Sequence, residues 1–101
     1  MNGVTIAADY DSRTSSLTLM AHLLVSDTLQ TAAQSATFSV HQLNGTEILA
    51  ATTDSAPTSQ GVFSTSATVT IQSGTNYVIT VAITAEDDTV YTNVIYMTAD
   101  R

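Results

Sequence analysis

Residues 77–84 place Tyr77, Ile79, Val81 and Ile83 at every second position, with Val78, Thr80, Ala82 and Thr84 between them. Successive side chains of an extended chain point to opposite faces, so a period of two means a strand with one wholly apolar face. The β-branched content strengthens that reading. A buried strand of this kind needs partners on both edges and a second layer over its apolar face. Residues 89–97 supply the first partner. They return after the acidic turn Glu86-Asp87-Asp88, which makes residues 77–97 a predicted hairpin.

The rest of the chain divides in the same way. Seven strands are expected, over residues 4–10, 16–25, 36–43, 46–52, 61–71, 77–84 and 89–97. In the second, Leu17, Leu19, Ala21 and Leu23 face inward, and Thr18, Met20, His22 and Leu24 outward. Ala36, Phe38 and Val40 form the inner face of the third. Phe63, Ala67, Val69 and Ile71 form that of the fifth. Asn44-Gly45 predicts a two-residue hairpin, because both residues accept positive φ readily. Residues 26–35 lack periodicity and read as a loop, as do residues 53–60, which hold the sole proline.

At 101 residues, 44% of them hydrophobic, the chain has the size of one domain with one core. It contains no cysteine, so stability must come from packing. The fold class expected is all-β, a seven-stranded sandwich, with residues 1–101 as a single domain.

Charge excludes several functions. The net charge is −7, and Arg13 and Arg101 are the only fixed cations. Affinity for nucleic acid comes largely from neutralising phosphates, so neither DNA nor RNA is an expected partner. An anionic membrane surface is disfavoured for the same reason. No apolar run approaches the ~20 residues of a helical membrane span. The first residues show no basic and apolar leader, so the expectation is synthesis in the cytoplasm.

Candidate chemistry is sparse. His22 and His41 both point outward in the expected alternation, on strands expected in opposite sheets, so no shared metal or nucleophilic site is expected. No Gly-x-Ser-x-Gly elbow occurs. Asp9 and Asp11 end the first strand, and residues 86–88 form a turn expected at the same end as Asp27. Calcium takes six to eight oxygens from such loops, but aspartate is also an ordinary turn residue. Asn44-Gly45-Thr46 is better read as a turn than as a glycosylation acceptor. The catalytic, metal and cofactor expectations are therefore none.

The last strand is the unusual one. Val90, Val94 and Tyr96 lie on one face and Tyr91, Ile95 and Met97 on the other, and no charge occurs between Asp88 and Asp100. Sheet edges are normally defended by charge or proline. A strand apolar on both faces is covered by another part of the chain or by another molecule. Tyr91, Ile95 and Met97, with Met20 and Leu24 on the outer side of the second strand, are the expected interface.

Ile71-Gln72-Ser73-Gly74-Thr75-Asn76-Tyr77 resembles the tyrosine corner of immunoglobulin-like and fibronectin type III sandwiches. LTLMAHLLVSD, ATFSVHQLNG, ATTDSAPTSQGVFSTSATV and SGTNYVITVAIT together resemble a bacterial or phage immunoglobulin-like domain over nearly the whole chain. The proline common in the second-to-third loop is missing here. The resemblance implies fold, and function only as a choice among settings. The first is a non-enzymatic virion component of a tailed phage, a capsid decoration (cement) protein. Its partners would be the major capsid protein or its own copies, as a homo-oligomer, at the capsid surface. The alternative is an adhesin or carbohydrate-binding module of a bacterial surface protein, with a site in the loops near Asp27 and residues 86–88. The chain has no tryptophan to stack on a sugar, although its tyrosines could serve.

Overall fold

The computed structural model describes residues 2–70 and 74–98. Eight strands account for most of them: β1 (Gly3–Asp11), β2 (Ser16–Val25), β3 (Thr28–Leu29), β4 (Ser35–Gln42), β5 (Glu47–Asp54), β6 (Phe63–Thr68), β7 (Asn76–Thr84) and β8 (Val90–Thr98). They form two antiparallel sheets. In one, β2 is central, with β1 on one edge and β6 and the short β3 on the other. The other has the order β5-β4-β7-β8.

The alternation read from the sequence is the alternation of burial. Leu17, Leu19, Ala21 and Leu23 of β2 meet Ala36, Phe38 and Val40 of β4 and Tyr77, Ile79, Val81 and Ile83 of β7 in one core. All four inward residues of β7 are fully buried, because β7 is flanked by β4 and β8 and covered by the other sheet. Tyr77 is the largest of them. Among the described residues no buried side-chain nitrogen or oxygen lacks a hydrogen-bond partner, so its hydroxyl is satisfied in the core. Ile71, the other landmark of the expected corner, lies outside the described residues.

Two local expectations are corrected, and one irregularity is added. Among the described residues the count is eight strands rather than seven, because residues 26–35 are not all loop. Val25 pairs with Thr28 and Leu24 with Leu29 across a two-residue turn in which Ser26 (φ 52°) and Asp27 (φ 62°) are both left-handed. That is the backbone of a type I′ hairpin, built here without the Asn-Gly pair that usually announces it. At Asn44-Gly45 the converse holds. The loop has three residues, Leu43, Asn44 and Gly45. Gly45 N–H donates to Gln42 O at 2.9 Å, and Gln42 N–H donates to Thr46 O at 2.8 Å beyond a left-handed Gly45 (φ 93°). The wider loop lets Asn44 Oδ1 accept from Thr46 N–H at 2.9 Å. Finally, β5 does not return evenly along β4. Its register shifts twice, between Phe38 and Val40 and between Val40 and His41.

The segment between β5 and β6 crosses from one sheet to the other. Gly61 in it is buried with φ 78°, and a Cβ there would overlap the backbone carbonyl of Gln30. No other residue permits both the left-handed backbone and that approach.

Candidate interaction surface

β1 and β8 lie side by side at one margin of the molecule, and β5 and β6 at the other. The four margins are defended unequally. β5 carries Glu47 and Asp54 and is kinked by its two register shifts. Asp54 also covers the adjacent strand, since its Oδ2 accepts from Ser64 N–H of β6 at 2.9 Å. β1 carries Asp9 and Asp11. β8 runs nine residues in unbroken register with β7 and has no charge, no proline and no bulge. Each device missing from β8 is one by which sheet edges avoid pairing with other chains.

Paired residues of neighbouring strands point to the same face. The register couples Tyr91 to Ile83, Ile95 to Ile79 and Met97 to Tyr77, so these three turn inward. They are half-buried and packed against the core. The three expected interface residues of this strand thus face the core, which covers part of each. The open face of β8 belongs to Val90, Val94 and Tyr96, which are 59%, 40% and 70% exposed. Tyr96 stands beside Val78 of β7 in the register, and Leu43, also exposed, lies near the start of β7, with its N–H donating to Asn76 O at 3.3 Å. Met20 and Leu24 do lie on the outer face of β2, as expected. Met20 is 44% exposed, and Leu24 is half-buried beside the exposed Leu29. Met20 and Leu24 face away from the second sheet, whereas Tyr91, Ile95 and Met97 face the core between the sheets, so the five expected residues do not share one face.

The backbone of β8 shows which of its groups are unpaired. Ala85 N–H donates to Thr89 O at 2.8 Å to close the turn. Bonded and non-bonded pairs alternate along an antiparallel ladder. Counting from Ala85 and Thr89, the residues bonded to β7 are Tyr91, Asn93, Ile95 and Met97. The N–H and C=O groups of Val90, Thr92, Val94, Tyr96 and Thr98 face away from the sheet. One of them is covered within the chain: Val94 N–H donates to Asn93 Oδ1 at 2.8 Å. Asn93 Nδ2 in turn donates to Val4 O of β1 at 2.8 Å. Beside this bridge lies an open groove of about 330 Å³, lined by residues 2–5, Leu24, Thr92 and Asn93.

The remaining candidates are dispersed. His22 is on the outer face of β2 and His41 on the outer face of β4, with both sheets between them. His41 Nε2 is 3.9 Å from Glu47 Oε2, both exposed, which is a weak pairing. The β7–β8 turn does meet the β2–β3 end of the molecule, at a groove of about 220 Å³ lined by Val25, Gln30, Ala85, Glu86, Asp87 and Tyr91. Two carboxylates of this turn are already engaged. Asp87 Oδ1 accepts from Thr89 N–H at 3.0 Å, and the bonds from Thr89 hold this exposed carboxyl below its ordinary pKa. Asp88 Oδ1 accepts from Gln34 Nε2 at 2.6 Å. Among the described residues no three His, Cys, Asp or Glu side chains converge as metal ligands.

No protein-family model matches the sequence, and no curated protein matches it.

Proposed function

We propose that this protein is a non-enzymatic structural protein with an immunoglobulin-like, fibronectin type III-like fold, acting as a capsid decoration component of a tailed-phage virion. The strand order supports the fold. With the two-residue β3 set aside, three strands (β1, β2, β6) face four (β5, β4, β7, β8), the division used by sandwiches in which the fourth strand joins the sheet of the last two.

The observation that carries the function is β8: nine uncharged residues at an undefended margin, exposing Val90, Val94 and Tyr96 outward while Tyr91, Ile95 and Met97 anchor the strand to the core. A rigid sandwich presenting such a strand works by docking on protein. Repetition around a symmetric shell multiplies contacts that are individually weak. The alternative, a surface-protein module binding through the loops at Asp27 and residues 86–88, has less support, because Asp87 already bonds within its own turn and Asp88 already bonds Gln34.

The test is the composition and strength of the particle. Purified virions of the encoding phage should carry the chain in a copy number fixed by shell symmetry. Adding it to bare shells should raise the temperature at which they rupture, and Val94→Asp should abolish that gain. Virions without the chain, or shells indifferent to it, would overturn the proposal.

A further inference from the structure

We infer that the free edge of β8 is a pairing edge for β8 of a second copy, and that Asn93 is the latch holding that edge closed in the single chain. The inference rests on reading β8 as the interaction strand and goes beyond it in naming the occupant.

Electrostatics restricts where two copies can meet, and the sequence of β8 selects the occupant. Two copies carry −7 each, so they repel wherever carboxylates meet. Pairing through β5 would bring Glu47 and Asp54 of the two copies together, pairing through β1 would bring Asp9 and Asp11 together, and Asp54 guards β6. Among the described residues, only β8 offers two chains a nine-residue edge free of charge.

The sequence of β8 is also suited to meeting itself. An antiparallel two-fold pairing centred on Val94 sets Val94 against Val94 of the second copy, Thr92 against Tyr96 and Val90 against Thr98. All are β-branched or aromatic residues that pair well across strands. These are the residues whose backbone groups face away from β7, so each pair would form ladder bonds. The two four-stranded sheets would then become one continuous sheet of eight.

Asn93 sits at the centre of that pairing. Its Oδ1 occupies Val94 N–H, the group on the two-fold axis, and its Nδ2 ties the strand to Val4 O. A second β8 must displace both bonds. Asn93 therefore keeps the edge occupied in the single chain and weakens the pairing it covers.

Light scattering and sedimentation of the purified full-length chain across a concentration series test this. The wild type should show a monomer–dimer equilibrium, stronger at higher salt because screening removes the long-range repulsion. Asn93→Thr, which keeps a strand-forming residue but frees Val94 N–H, should tighten the dimer about tenfold, the equivalent of one net hydrogen bond. Tyr96→Pro and Thr92→Pro each delete an N–H that β7 does not use, and each should weaken the dimer tenfold or more, on the order of the ladder bonds lost. Circular dichroism identifies whichever proline variant stays folded, and Tyr96→Thr separates loss of the ring from loss of the N–H. Two results would overturn the inference. One is a wild type and an Asn93→Thr variant that both remain monomeric at the highest concentration. The other is a dimer indifferent to a folded proline variant. Either could coexist with Val94-dependent shell binding, so the functional proposal would stand or fall separately.

Discussion

Asn93 of β8 donates its side-chain amide to the carbonyl of Val4 of β1 at 2.8 Å, joining the free edges of two strands that belong to different sheets. The register turns Asn93 to the same side as Val81, toward the core, yet the residue is exposed at the margin. Its amide spans a gap that backbone pairing does not close.

Replacing Asn93 by Ala should lower the unfolding free energy by about 1 kcal/mol, because the groups released are open to water rather than buried. Urea denaturation measures this at a protein concentration where the wild type is monomeric. Hydrogen exchange should show faster exchange at Val94 N–H without change at Ile79 or Val81.

The two faces of β8 should respond unequally to truncation. Ile95→Ala and Met97→Ala remove side chains packed on the core and should each cost roughly 2 kcal/mol, the low end for a half-buried aliphatic residue. Val94→Ala and Tyr96→Ser should change stability by no more than about 0.5 kcal/mol, as surface substitutions do. Thermal denaturation of the four variants decides whether the register of β8 on β7 is as described.

Gly61→Ala should be among the most damaging substitutions of a small residue. It adds a Cβ against the backbone of Gln30 and Thr31 and strains a left-handed backbone. A loss above about 2 kcal/mol is expected, since neither atom is the end of a flexible side chain. A loss below 1 kcal/mol, read from the urea midpoint, would mean that this crossing is looser than its geometry.

Asp87 makes the β7–β8 turn acid-sensitive. Its pKa is lowered in the folded state from 3.8 by hydrogen bonds from Thr89. The carboxylate therefore stabilises the fold above that ordinary value, and the contribution is lost as pH falls through the lower folded value. Wild-type stability should decline with pH below about 4, and the decline should be shallower in Asp87→Asn. Equal slopes in the two proteins would assign the acid sensitivity elsewhere.

Much of this architecture was legible in local pattern. The inward residues of β2, β4 and β7 follow from alternation alone, because the side-chain period of a strand belongs to its backbone. Turns were less legible. Ser26-Asp27 forms a tight hairpin without glycine or asparagine, since pairing of Leu24 with Leu29 holds both residues left-handed. Asn44-Gly45 has the residues of a two-residue turn but sits in a three-residue loop.

β8 marks the boundary between the two kinds of knowledge. Its sequence determined that it is a strand, apolar on both faces and uncharged from end to end. Only the tertiary structure decided that Tyr91, Ile95 and Met97 enter the core while Val90, Val94 and Tyr96 stay outside, because a slip of one residue against β7 would exchange the two sets. The fold likewise decided that β8 is an edge and that Asn93 meets Val4. Those relations join residues far apart in the chain, through sheet order and register rather than through any local preference.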